Sequence, residues 1–363
     1  MVYNDIRRKT REISVGNIKI GGENKIAIQS MTNTDTRDSL ATLEQIKKLS
    51  SSGCDIVRIT VPDESAAETV RTIKESGINT PIVADIHFDY RAALKAAEYG
   101  VDKIRINPGN IGDEDRVRAV VNACKARHIP IRVGVNSGSV EKHILGKYGA
   151  PTPEALCESA MYHTAILEKY DFYDTAISIK SSDVASMIRA NRLVAERCDY
   201  PIHIGVTEAG DEKSGSIKSA IGVGSLLCDG IGDTLRISLT ADPVKEVAAA
   251  KELLNALNIE GQCGMNVVSC PTCGRTRIDL ISLSQRFKEA VAAEGLSDLP
   301  ITVALMGCIV NGPGEAHEAD IGIAGGAGEA LLFSHGQAMG KIKEGEIIHT
   351  LIKEINKIKD KRS

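Results

Sequence analysis

The stretch PIVADIHFDYRAALKAAEYGVDKIRINPGN, Pro81–Asn110, holds an apolar run, a helical pattern and a second apolar run. PIVADIHFD gathers Ile, Val and Ala behind a proline, as a buried strand does. RAALKAAEYG spaces its apolar residues three and four apart and closes on glycine, the signature of a helix with its C-terminal cap. KIRINPGN returns to the strand pattern and ends in a turn. Two strands joined by a covering helix make a parallel unit.

The unit recurs along the chain. Strand-like runs stand at KIAIQSMTN (25–33), DIVRITVP (55–62), PIVADIHFD (81–89), KIRINPGN (103–110), PIRVGVNSG (130–138), TAISIKSSD (175–183), PIHIGVTEAG (201–210) and DTLRISLT (233–240), with helical stretches such as SLATLEQIKKLSSSG between them. Eight such units are most economically an α/β (β/α)8 TIM-type barrel. A doubly wound open sheet is the alternative, but no G-x-G-x-x-G follows the first strand. Ahead of the first strand, ISVGNIKIGG reads as a hairpin that would close the barrel bottom. From about Asn258 the pattern changes to the strand-like pieces MNVVSCP, PITVALMG, ADIGIAGG and EALLFSH, one long helix around LISLSQRFKEAVAAE and a last helix EIIHTLIKEINKIK. The reading is therefore a barrel over 1–257 and a small α+β domain over 258–363.

Among 363 residues, 42% are hydrophobic and 25% charged, ordinary values for a folded domain. With 44 basic and 48 acidic side chains the net charge is −4, which gives no general reason to bind nucleic acid or an anionic membrane. Neither an apolar leader nor a spanning run is visible, and a cytoplasmic location is expected. Nine cysteines, an odd number, argue against a disulfide framework.

Active sites of such barrels lie at the C-terminal ends of the strands. The polar residues there are Asn33, Arg58, Asp85, His87, Arg105, Asn107, Arg132, Asn136, Lys180, Glu208, Arg236 and Ser238. Four arginines and a lysine from five strands, in a chain without net positive charge, point to a multiply charged anion. Arginine forks match phosphate oxygens and lysine adds a compact charge, so a diphosphate suits them. Asp85 and Glu208 would steer hydroxyls or move protons, or form structural ion pairs.

Cys270 and Cys273 form a CxxC in SCPTCGR, and Cys308 follows in GCIVNGPGEA. Three readings stand open: a redox dithiol, a structural zinc completed by His317 or Cys263, or an iron–sulfur cluster short of one thiolate. Under the cluster reading, Glu315, across the NGPG turn after Cys308, would be an oxygen donor for the remaining iron.

SCPTCGR, GCIVNGPGEA and the strand-end residues together resemble the 4-hydroxy-3-methylbut-2-enyl diphosphate synthase family, over essentially the whole chain from IQSMTNTDT onward. The resemblance implies an iron–sulfur oxidoreductase of non-mevalonate isoprenoid biosynthesis. Its members open the ring of 2-C-methyl-D-erythritol 2,4-cyclodiphosphate by a two-electron reduction that eliminates water. It implies a [4Fe–4S] cluster on Cys270, Cys273 and Cys308 with Glu315 as the fourth, displaceable ligand, and Asn311 beside the bound intermediate. Arg58, Arg105, Asn107, Arg132, Asn136, Lys180, Arg236 and Ser238 would hold the diphosphate, with Asp85 and Glu208 near the reacting carbons. Reduced flavodoxin or ferredoxin is the implied electron donor. The short bacterial form implies a homodimer in which the cluster domain of one chain caps the barrel of the other. A reading from another class, a redox-neutral lyase or transferase on a phosphorylated substrate, would make Lys180 a Schiff-base lysine and the cysteines a structural zinc site.

Overall fold

The computed structural model describes residues 3–259, 264–309 and 317–362. The chain divides into two compact units, one up to Leu253 and one from Leu254.

The first unit opens with the antiparallel hairpin β1 (Ile13–Val15) and β2 (Ile18–Ile20). Eight parallel strands follow: β3 (Ala27–Met31), β4 (Ile56–Thr60), β5 (Ile82–Asp85), β6 (Lys103–Ile106), β7 (Ile131–Asn136), β8 (Thr175–Lys180), β9 (His203–Ile204) and β10 (Thr234–Leu235). They pair in the order β8-β7-β6-β5-β4-β3-β10-β9, and a parallel bridge from Ile177 to Ile202 closes the ring. All eight runs read from the sequence are strands of this barrel.

Local chemistry sets the helix starts. Asp38, Asp63, Asp89, Asp113, Asp183 and Asp211 each turn a carboxylate onto a backbone N–H in the first turn of the helix that follows. The longer step between β7 and β8 contains two helices, Lys142–Tyr148 and Pro153–Glu168. At the bottom, Ile13, Val15 and Ile20 of the hairpin pack with Ala27, Ile56, Val83 and Ala176 of four barrel strands, as ISVGNIKIGG suggested.

The second unit is a five-stranded sheet in the order β11 (Asn266–Ser269), β12 (Thr302–Met306), β13 (Ile321–Gly325), β14 (Glu329–Ser334) and β15 (Gln337–Lys343). β11, β12 and β13 run parallel, and β14 and β15 return antiparallel. Leu283, Phe287 and Val291 of the helix Leu280–Ala293 share a core with Val303, Leu305, Ile321 and Ile323, joined by Ile347, Leu351 and Ile355 of the helix Ile347–Arg362. Among the described residues no helix is long and apolar enough to cross a membrane.

Candidate active site

Cα partners on neighbouring parallel strands send their side chains to the same face, and the face alternates along each strand. The register therefore decides what meets inside the barrel. One row runs Met31, Arg58, Val83, Lys103; another runs Thr60, Asp85, Arg105, Arg132, Ala176. Ala27, Ile56, Val83 and Ala176 of this inward set are the floor on which the hairpin packs. Above them the interior is polar.

Asp85 lies between two arginines. Its Oδ1 accepts from Arg105 Nη1 at 3.0 Å, and its Oδ2 lies 3.5 Å from Arg58 Nε. Burial opposes ionisation of this carboxyl, but Arg58 and Arg105, helped by His87 and Arg132, outweigh it and hold Asp85 well below the usual carboxylate range. Arg105 also donates to the Gly134 carbonyl at 3.4 Å, and it has room because position 134 lacks a side chain: a Cβ there would collide with Nε and Cζ of Arg105.

Arg58 Nε and Nη2 donate to Met31 Sδ at 3.1 and 3.0 Å, a weak acceptor for a guanidinium. Burial pushes the Arg58 pKa down to about 10, against the pull of Asp85 and with the push of Arg236 and Arg105. Arg236 forms a two-pronged pair with Glu246, 3.0 Å to Oε2 and 2.9 Å to Oε1. Ser30 Oγ at 2.8 Å and the Leu239 N–H at 3.1 Å complete the ring of donors around Glu246, which the helix Pro243–Ala256 delivers.

Arg132 differs from the other arginines. It is 0% exposed, and its Nε, Nη1 and Nη2 have no hydrogen-bond partner. Burial, then Arg58 and Arg105, weigh against its charge. Lys180 is also buried, and burial followed by Arg58, Arg236 and Arg132 pushes its pKa well down, with Glu246 opposing. The interior thus carries Arg58, Arg105, Arg132, Lys180 and Arg236 against the carboxylates of Asp85 and Glu246. Buried cations in excess of their counter-ions carry a desolvation cost that a bound anion would offset.

Asn107 and Asn136 close their strands as caps. Asn107 Oδ1 accepts from the Gly109 N–H at 3.0 Å and its Nδ2 faces the Ser139 carbonyl at 3.5 Å, while the Asn136 N–H donates to Ser139 Oγ at 3.1 Å. These bonds join the glycine-rich loops after β6 and β7. Asn33 is tied to Gln45, whose Nε2 donates to its Oδ1 at 2.6 Å. Ser238 and His87 are partly buried. Glu208 is exposed at a positive φ of 52° beyond β9.

Sequence reading missed four interior residues: Lys103, His203, Glu246 and Gln29. Lys103 and His203 are 0% exposed and Gln29 is 1% exposed. The signal for Lys103 was its place two residues before Arg105, hence on the same face.

In the second unit, β11 and β12 end side by side, Ser269 opposite Leu305, so Cys270 and Cys308 leave the same end of the sheet. The Gly307 N–H donates to Cys270 Sγ at 3.2 Å. Cys273 is exposed, and the backbone N–H and guanidinium of Arg275 lower its thiol pKa. Among the described residues no three His, Cys, Asp or Glu side chains are grouped as for a metal ion. Asn311, Glu315 and Cys263 lie outside the described residues. The donor set nonetheless suits a soft metal centre: thiols, one favoured as thiolate and one receiving the backbone N–H bond that sulfur ligands of clusters use.

Two comparisons bear on the whole chain. Residues 10–251 match the family described as GcpE TIM-barrel domain, and residues 266–357 match GcpE protein C-terminal domain. A protein of Clostridium perfringens named 4-hydroxy-3-methylbut-2-en-1-yl diphosphate synthase (flavodoxin) is 55% identical over 352 residues, 97% of this chain and 99% of its own. One of Maridesulfovibrio salexigens with the same name is 54% identical, covering 98% and 99%. Among solved structures, the HPPK-DHPS of Plasmodium falciparum aligns over 78% of this chain and 52% of its own, with a TM-score of 0.50 and 9% identity, a likeness of fold alone. With both of its units matched in order, the chain belongs to the GcpE family.

Proposed function

We propose that this chain performs the reaction of 4-hydroxy-3-methylbut-2-en-1-yl diphosphate synthases: two-electron reduction of 2-C-methyl-D-erythritol 2,4-cyclodiphosphate with ring opening and loss of water. The observation that carries the site assignment is the set of buried, under-neutralised cations inside the barrel. Arg132 has three unpartnered N–H groups, and the phosphoryl oxygens of a cyclic diphosphate would satisfy them. Arg58, Arg105, Lys180 and Arg236 surround the same charge, and Asn107, Asn136 and Ser238 offer neutral donors at the rim. Asp85, engaged by two arginines and held ionised, orients them. Glu208 is exposed and no ion pair engages it among the described residues, which leaves it as the carboxylate free to move a proton.

Iron–sulfur dependence is general in the family, and in this chain Cys270, Cys273 and Cys308 would hold a [4Fe–4S] cluster, with Glu315 as fourth ligand and Asn311 in the same loop. When bound, the cluster supplies low-potential electrons and a Lewis-acidic iron. Flavodoxin, which the relatives' names specify, is the donor we assign, and a cytoplasmic homodimer is the form we assign. Lys180 has the depressed basicity of a Schiff-base lysine, but the redox-neutral alternative does not account for a chain of this family. The test is turnover: protein loaded with iron and sulfide without oxygen, given reduced flavodoxin and the cyclic diphosphate, should form the allylic diphosphate. Arg132→Met should bind the substrate at least roughly 100-fold more weakly, the loss of a charged, hydrogen-bonded anchor. A loaded protein that does not turn over would reject the reading.

A further inference from the structure

Beneath the arginines lies a second polar layer that the reaction as described leaves unused. Lys103 sits two residues before Arg105 on β6, on the same inward face and one layer deeper. It is 0% exposed and its Nζ has no hydrogen-bond partner. His203, also 0% exposed, shares Nδ1 with Thr234 Oγ1 at 2.8 Å and leaves Nε2 without a partner. Gln29 leaves both amide atoms unpaired in the same interior. Buried polar groups are almost always satisfied, so this many orphans within one barrel interior mark a place where something polar is received.

We propose that Lys103 is a further cation of the diphosphate site, reaching the inward-facing phosphoryl oxygens from below, with His203 as its polar neighbour in the lower layer. The inference rests on the anion site assigned above and adds a residue and a signature to it. The charges acting on Lys103 are those of Arg132 from β7 and Arg58 from β4, both positive, and His203 of β9 feels Lys103, Arg132, Lys180 and Arg58 in turn. Burial first, then these neighbours, drives Lys103 and His203 toward their neutral forms. An entering anion reverses the balance, so Lys103 takes up a proton from solvent as the diphosphate binds.

A lysine whose folded pKa is depressed binds fewer protons folded than unfolded below about pH 10, so it costs stability at neutral pH. Lys103→Met should therefore raise the thermal midpoint while weakening anion binding, a combination that a merely structural lysine would not give. The experiment is calorimetric titration of the full-length protein with inorganic pyrophosphate in two buffers of different ionisation heat, for wild type, Lys103→Met and Arg105→Ala. The expected result is about tenfold weaker binding by Lys103→Met, with roughly one proton fewer taken up per pyrophosphate bound than in wild type. Equal affinity and equal proton uptake in wild type and Lys103→Met, while Arg105→Ala binds weakly, would overturn the role of Lys103 and leave the anion site standing. Wild type that ignores pyrophosphate, or Arg105→Ala that binds it as wild type does, would sink the anion site and the present inference with it. If Lys103→Met does not fold, Lys103→Gln, neutral and polar, answers the same question.

Discussion

Asp85 is outnumbered by arginines, and that imbalance can be read in both stability and chemistry. Asp85→Asn keeps the shape but leaves Arg58 and Arg105 without their shared counter-charge, which for a buried pair costs about 3–5 kcal/mol. The expected outcome is a stability loss of that size in denaturant titration. Affinity for pyrophosphate should be retained, because an anionic competitor has gone, while turnover falls at least roughly tenfold as the guanidiniums lose their alignment. Because the folded carboxyl is held below its unfolded value, the unfolded chain protonates first; the Asp85 contribution is full above about pH 4 and is lost as pH falls below it, so Asp85→Asn should flatten the acid limb of stability. At this scale one arginine at a strand end is ordinarily an exposed or paired charge, and only four of them with a lysine, from five strands of a chain of net charge −4, mark an anion site; Arg132, read as a strand-end residue, in fact stands second in β7, deeper than the rim. Lys103 and His203 stayed hidden because a strand buried on both faces shows no polar alternation, and a lysine at a strand start normally reaches solvent.

Between elements, absent side chains matter as much as present ones. Gly134 on β7 leaves the space that the Arg105 guanidinium fills from β6. Gly205 likewise admits the Arg236 carbonyl, which a Cβ would strike. Gly134→Ala should displace Arg105 from Asp85, raising the KM for the cyclic substrate about tenfold and costing about 1–3 kcal/mol of stability from overpacking. A KM within twofold of wild type would mean that Arg105 does not need its observed position. The eight barrel strands were legible because each pairs a β-branched run with a polar exit. β15 was not, because QAMGKIK is exposed almost throughout and carries Gly340 within it; an edge strand facing water shows neither continuous apolarity nor clean alternation. The cap role of Asn107 was equally invisible, as it depends on the Gly109 N–H turning back.

For the molecule as a whole, the reading divides labour between a barrel that holds charge and a second unit that holds thiols. Protein purified without oxygen should contain about four irons and four acid-labile sulfides per chain. Cys308→Ser should lose most of that iron and all turnover while binding pyrophosphate as wild type does; a parallel loss of pyrophosphate affinity would show that the two tasks are not separable. Domain order and the CxxC-plus-one spacing of Cys270, Cys273 and Cys308 were legible in the sequence, whereas among the described residues their side chains are not gathered as for a metal ion, as expected of ligand loops that take shape with their metal. The hairpin under the barrel has a kinetic meaning as well. With Ile13, Val15 and Ile20 seated on Ala27, Ile56, Val83 and Ala176, the bottom end of the barrel is stoppered. A substrate held on the proposed cation site would enter and its product leave by the same rim, so leftover product would be a direct rival of the next substrate.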